Sequence, residues 1–400
     1  MTRNFRLAIL STHPIQYHAP WFRGLAAHPD LDVHVYFCHK ATPPEQARAG
    51  FGVEFDWDVD LLAGYPHSFL KNIANPGGHG SFGGFDTPEI GKIIREGRYD
   101  ALLVNGWNYK SAWQAIWAAW KSGVTALVRG DSHLLTERTV AQRAVKWLVY
   151  RWFIPRFDGC LAVGQWSREY FLHYGARPER IFSVPHVVDF DVTGSDAFTV
   201  RRRFRQAAGL NADAVTFMFC GKFVPKKRPM DFVMAVSRAA ERGAAIQGLM
   251  VGDGPLRGAC EQFVASTRGP IRFAGFLNRS KISEAYLACD VLVLPSDAGE
   301  TWGLVVNEAM SCGRACIVSD HVGCGPDLVR PGATGMIYPL GDVEILFRVM
   351  KDLASDAARL SDMGRMARLT AQNYTVTNAV EGVLRALQAT VGPREAVCLQ

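Results

Sequence analysis

Short, strongly apolar runs alternate along the chain with longer stretches in which apolar residues recur every three or four positions. These are the patterns of buried strands and amphipathic helices. In the first half, residues 5–10, 31–38, 101–104, 125–128, 159–163 and 181–184 predict strands. Helical periodicity runs through Trp21 and Leu25, then over 111–121, 136–153 and 167–174. The second half repeats the plan, with strands over 215–220, 247–251, 271–274, 291–294, 316–319 and 335–338, and helices over 342–353, from 357 onward and over 376–391. Alternation of this kind implies parallel, doubly wound sheets with helices on both faces.

Four hundred residues exceed what one hydrophobic core usually serves, so two domains with a cleft between them are expected. The boundaries read as 1–190 for the first domain, 191–374 for the second and 375–400 for a terminal helix plus tail, with 185–195 as the crossing. Residues 40–91 break the rhythm: they have little periodicity but many aromatics, Phe51, Phe55, Trp57, Tyr65, Phe69, Phe82 and Phe85 among them, and long irregular segments are often functional. Within them, Asp56-Trp57-Asp58-Val59-Asp60 alternates polar and apolar residues, the signature of a strand with one polar face rather than of a metal site. The turn-rich 75–81 is either a mobile acceptor loop or an idle surface turn.

Lys and Arg number 44 against 38 Asp and Glu, a net charge of +6. This excess suits an anionic nucleotide or a membrane surface and is too small to indicate nucleic acid. The nine cysteines are odd in number and scattered, so they read as reduced core thiols. Cys312, Cys316 and Cys324 cluster, but no His or second Cys pair completes a zinc spacing, and no metal is expected. Residues 1–10 hold a strand-like run rather than a signal peptide, and no apolar segment is long enough to span a bilayer, so a cytoplasmic setting is expected. The helix over 136–153 carries Arg138, Arg143, Lys146 and Arg151 beside Trp147, Trp152 and Phe153. That composition suits peripheral contact with anionic lipid, and equally a partly buried helix with snorkelling cations.

The chemistry concentrates where the apolar run 291–294 passes through Pro295-Ser296-Asp297-Ala298-Gly299 into Glu300-Thr301-Trp302-Gly303-Leu304-Val305-Val306-Asn307-Glu308. Strand, loop and helix follow one another, which puts Glu300 at the carboxyl edge of a sheet, where open α/β folds bind ligands. Gly303 permits close approach, and the free amides of Gly303, Leu304 and Val305 suit a diphosphate. Glu308, one to two turns into the helix, can accept hydrogen bonds from a ribose. Read without further support, the pair is a loop acid followed by a helix-surface acid.

Two glutamates around seven residues, preceded by Pro295-Ser296, resemble the donor-site signature of the family-four retaining glycosyltransferases of the GT-B fold. The resemblance implies two Rossmann-like domains and a C-terminal helix that crosses back to the first. It implies that Glu308 holds the nucleotide ribose, that Glu300 faces the transferred sugar, and that Thr301, Trp302 and Ser296 belong to the donor site. Gly221-Lys222 after the run 215–220, with Lys227 five residues on, matches the family's two cations on the donor diphosphate. Gly252-Asp253-Gly254-Pro255 imitates a dinucleotide fingerprint, but the next strand ends in Gly275-Phe276-Leu277 without the required acid. The family carries the same turn, and Phe276 and Leu277 inherit contact with the base.

The loop Ser11-Thr12-His13-Pro14-Ile15-Gln16-Tyr17-His18 lacks the glycine pair common in the family, and His13, Gln16 and Tyr17 offer donors and stacking surface to an acceptor. In Arg129-Gly130-Asp131-Ser132-His133, either Arg129 or His133 stands where the family has a polar group facing the sugar, and Asp131 or Ser132 reads equally as a helix cap. The resemblance implies metal-independent, retaining transfer of a sugar from a nucleoside diphosphate, with UDP favoured and no cofactor. The acceptor hydroxyl would belong to an envelope polysaccharide, a lipid-linked glycan or a small molecule. A nucleotide-sugar epimerase and a non-catalytic nucleotide-sugar sensor are the alternatives on the same fold.

Overall fold

The computed structural model describes residues 4–47, 50, 52–189 and 196–392. In its first half, β1 (Phe5–Ser11), β2 (Leu31–Phe37), β3 (His67–Phe69), β4 (Ala101–Asn105), β5 (Thr125–Gly130), β6 (Gly159–Ala162) and β7 (Ile181–Ser183) form a parallel sheet in the order β3-β2-β1-β4-β5-β6-β7. In the second, β8 (Val215–Cys220), β9 (Ile246–Val251), β10 (Ile271–Gly275), β11 (Val291–Leu294), β12 (Ala315–Ser319) and β13 (Gly335–Tyr338) form another in the order β10-β9-β8-β11-β12-β13. Each sheet reverses its winding beside its first strand, β1 against β4 and β8 against β11. A crevice opens at such a switch point, at the carboxyl ends of the strands.

Helices cover both faces of each sheet, which is why the strands are continuous apolar runs. In β1, Leu7 and Ile9 pack with Val33 and Val35 on one face, while Ala8 and Leu10 pack with Leu102 and Val104 on the other. The C-terminal helix Val376–Thr390 returns to the first sheet, where Val383 and Leu387 join the cluster of Leu7 and Ile9. Contact there is backbone to backbone: a Cβ on Gly382 would lie 2.2 Å from the carbonyl oxygen of Ser183.

Several local expectations are corrected. Residues 56–60 are not a strand; the main-chain carbonyl of Asp56 accepts from Asn278 Nδ2 at 2.8 Å and Asp58 Oδ2 accepts from Ser280 N at 3.1 Å. Asp58 satisfies an open amide at the amino end of the helix Arg279–Ala288 in the other domain, and Asp56 holds the side chain of its N-cap residue, so alternation there reflects docking on a helix end, not pleating. The helix expected from 136 begins at Val140, with Thr139 Oγ1 accepting from Gln142 N at 3.2 Å, so neither Asp131 nor Ser132 caps it. It is partly buried, as one of the two readings expected, but on one side alone: Phe153 is buried and the Lys146 ammonium packs over the rings of Tyr150 and Tyr170. A helix the periodicity did not predict, Ala197–Ala207, is fixed by Arg201 and Arg205, each 2.7 Å from a carboxylate oxygen of Asp290. The eight described cysteines are buried and unbridged. Phe51, Cys398, residues 190–195 of the expected crossing and residues 393–400 of the tail lie outside the described residues.

Candidate active site

The carboxyl edges of the two sheets face each other across a cleft of about 740 Å³. The second sheet supplies the loop after β8, with Lys222, Lys226 and Lys227, and the loop after β11, with Glu300. Gly303 then adopts φ +102°, and a Cβ there would lie 2.8 Å from Leu294 Cδ2, so only glycine turns the chain into the helix Leu304–Ser311. Gly303, Leu304 and Val305 line the cleft at that helix's amino end, where amides lack intrahelical acceptors and the dipole favours an anion.

Lys227 Nζ is ion-paired with Glu300 Oε2, both side chains being 13% exposed. Ser296, also expected in the donor site, is fully buried beneath Glu300 and does not line the cleft. Its carbonyl accepts from Ser319 Oγ, and it supports the loop. Burial, then repulsion from Lys226 and Lys227, lowers the Lys222 pKa to about 8. Gly221 and Gly252 line the cleft, whereas Gly254 lies behind it against the main chain of Phe223.

Glu308 is 3% exposed. Its Oε1 accepts from Arg279 Nη1 at 2.8 Å and its Oε2 from the Tyr286 hydroxyl at 2.7 Å. Burial raises the Glu308 pKa, opposed by Arg279 and by hydrogen bonds from Tyr286 and Tyr17. Phe276 and Leu277 line the same side of the cleft, and the Phe276 ring centroid is 4.3 Å from that of Phe55 in the first domain. Thr301 and Trp302 sit at the junction of the domains. Thr301 Oγ1 donates to Asp131 Oδ2 at 2.7 Å, and the Trp302 ring lies 5.8 Å from His186.

In the first domain, His13, Gln16 and Tyr17 all reach the cleft. Burial, then the neighbouring His79, lowers the His13 pKa to about 4, so the ring is neutral at physiological pH. Arg129 lines the cleft but is 6% exposed, and it donates to the carbonyls of Val184 and Pro185 at 3.3 and 3.1 Å. His133 is outside the cleft, with Nδ1 accepting from Leu135 N at 3.2 Å and its ring 5.5 Å from Trp166. Of the two candidates, Arg129 is therefore the one at the cleft wall.

Sequence reasoning missed Arg279, Tyr286, His186 and Asn105, and read Asp131 only as a cap. Asp131 lines the cleft; burial would raise its pKa, but hydrogen bonds from His186 and Thr301 and the charge of Arg129 hold it well below the usual range. Asn105 ends β4 beside the switch point, and both its amide atoms are buried without a hydrogen-bond partner among the described residues, as are Gln16 Oε1 and His18 Nδ1. The signal for Asn105 was its place directly after the apolar run 101–104.

Two family models match the chain, the Glycosyltransferase Family 4 model over residues 21–192 and the Glycosyl transferases group 1 model over residues 214–356. Relatives named D-inositol 3-phosphate glycosyltransferase include one from Rhodococcus opacus, 24% identical over 98% of this chain and 92% of its own length. Another, from Rhodococcus jostii, is 29% identical over 98% and 90% respectively. Among solved structures, HepE from Anabaena in complex with UDP superimposes with a TM-score of 0.74 at 18% identity, covering 96% of this chain and all of that one. Together with the two facing sheets, these matches define a glycosyltransferase of the GT-B fold. The chain is a family 4-like nucleotide-sugar enzyme among these.

Proposed function

We propose that the chain transfers a sugar from a nucleoside diphosphate sugar, UDP-linked in the first instance, to an acceptor hydroxyl with retention at the anomeric carbon and without a metal ion. The carrying observation is the convergence on one cleft wall of Lys222, Lys227, Glu300 and the amino end of the helix after Gly303. A departing nucleoside diphosphate develops negative charge, and fixed cations and amides at that point stabilise the transition state. Lys222, Lys226 and Lys227 supply the positive charge that a divalent ion would otherwise bring. The acceptor hydroxyl attacks from the leaving-group side, the diphosphate oxygen takes its proton, and Glu300 orients the sugar hydroxyls. Glu308 holds the ribose, Phe276 and Leu277 flank the base, and His13, Gln16, Tyr17 and Arg129 border the acceptor.

HepE, solved with UDP and with UDP-glucose, supports the choice of base. An envelope polysaccharide or lipid-linked glycan, built at the cytoplasmic face of the membrane, is the setting in this reading. The first test is calorimetric titration of UDP, GDP and ADP into wild type and Glu308→Ala with a chelator present. Binding of UDP that the variant loses supports the reading, and UDP affinity indifferent to Glu308 or dependent on added metal overturns it. The anomeric coupling constant of the product, read by proton magnetic resonance, checks retention.

A further inference from the structure

The helix Val140–Phe153 carries its apolar stripe on the side facing away from the protein. Its inner side is defined by Phe153, stacked on Trp113 at 4.3 Å, and by Lys146, whose ammonium lies 5.0 Å from the Tyr150 ring centroid and 4.9 Å from that of Tyr170. On the opposite side stand Val140, Ala144, Val145, Leu148, Val149 and Trp152, all exposed, Val140 at 74% and Leu148 at 65%. Their spacing gathers them into one face of a 3.6-residue helix. In a helix that served only to cover a core, that face would be turned inward. Trp117 on the neighbouring helix Lys110–Ser122 extends the patch, its ring 6.2 Å from that of Trp152.

The border of the patch is cationic. Arg143 and Arg151 are interleaved with these residues along the helix, Arg138 and Arg156 stand before and after it, and Glu137 is the one acid in residues 136–156. Arg151 lies 5.6 Å from the Trp147 ring centroid and Arg156 lies 4.0 Å from that of Trp152. An apolar centre with an arginine and tryptophan rim matches a surface that is hydrocarbon within and anionic at its edge. A second copy docked on the same face would bring like charges together. Among the described residues no helix is long and apolar enough to cross a membrane, so contact by this helix is interfacial.

We propose that the chain docks on anionic bilayers through this helix, with Leu148 and Trp152 at the acyl boundary and the arginines against lipid phosphates. The attachment is independent of which donor or acceptor occupies the cleft. The test is co-sedimentation of the whole chain with vesicles of phosphatidylcholine, alone or with about one-third phosphatidylglycerol. Wild type is expected to sediment with the anionic vesicles, less so as salt is raised, and to leave phosphatidylcholine largely free. Leu148→Glu should weaken the association about tenfold or more, and Arg143→Glu with Arg151→Glu should abolish the preference for anionic lipid. Brominated acyl chains should quench tryptophan emission of the wild type, a readout that needs no variant to fold. Absence of wild-type binding, or equal binding by wild type and Leu148→Glu, overturns the proposal. So does a lipid-free wild-type dimer in light scattering that Leu148→Glu converts to monomer, for then a second copy covers the stripe.

Discussion

Arg279 Nη1 donates to Glu308 Oε1 at 2.8 Å, so the carboxylate proposed for the ribose has a cationic partner of the protein's own. Both side chains are withdrawn from solvent, Arg279 to 10% and Glu308 to 3%. Breaking a buried pair by removing one member leaves the other charge uncompensated, which is costlier than losing both. Glu308→Leu is expected to lower unfolding free energy by about 3 kcal/mol in urea titrations. The Arg279→Met, Glu308→Leu double variant should lose less than the sum of the single losses. Strict additivity would refute the coupling.

Lys222 gives a pH dependence. Its pKa is lowered to about 8 by burial first and by Lys226 and Lys227 next. The cation is the form that stabilises a leaving diphosphate, so kcat/KM should hold to neutral pH and fall as pH rises through about 8. Lys226→Gln removes one repulsive charge, raises the Lys222 pKa and should move the alkaline limb upward. A limb that stays in place in Lys226→Gln rules out Lys222 as the titrating group.

What the sequence disclosed, and what it hid, follows from how each element is held. β1, β8 and β11 were legible because strands covered on both faces are uninterrupted apolar runs; Lys222 and Glu300 stood out beyond such runs, while Lys227 was expected from the family resemblance alone. The helix Ala197–Ala207 was obscured because its apolar stripe is short, with Val200 and Phe204 set among arginines, two of which clamp it on Asp290. Asp56 to Asp60 imitated a strand because two of its residues bind the amino end of a helix 222 positions away, Asp58 through an amide and Asp56 through the N-cap side chain, contacts no local pattern encodes. The arginine spread of the helix at 140–153 obscured its outward apolar stripe, since periodicity does not say which face the rest of the protein covers. The pairing of Arg279 with Glu308 across 29 residues was hidden for the same reason.

Asn105 predicts a separation of donor and acceptor effects. Its two amide atoms, in the cleft wall contributed by the first domain, have no hydrogen-bond partner among the described residues, and a buried polar group without a partner is costly until a ligand or water supplies one. Asn105→Leu should raise the acceptor KM about tenfold while leaving UDP affinity within about twofold. The comparison pairs steady-state kinetics with UDP calorimetry. A parallel fall in UDP affinity would move Asn105 to the donor side.

At the junction of the domains, both carboxylate oxygens of Asp327 lie 3.1 Å from Gln165 N at the start of the helix Gln165–His173. Burial, with Glu169 adding to it, raises the Asp327 pKa from 3.8 to about 6 against the opposing Gln165 amide. Because the folded value lies above the unfolded one, the folded chain binds the proton more tightly, and ionisation penalises folding. That penalty is absent below pH 3.8, grows through the interval and is complete above about pH 6. Asp327→Asn keeps an acceptor for the amide and removes the charge. The variant should therefore exceed wild type by about 1 kcal/mol at pH 8, a figure reduced for partial solvent screening, and match it at pH 4. Thermal unfolding at the two pH values decides it. A variant less stable than wild type at pH 8 would mean that the charged hydrogen bonds to Gln165 outweigh the cost of burial, making Asp327 a net anchor between the domains.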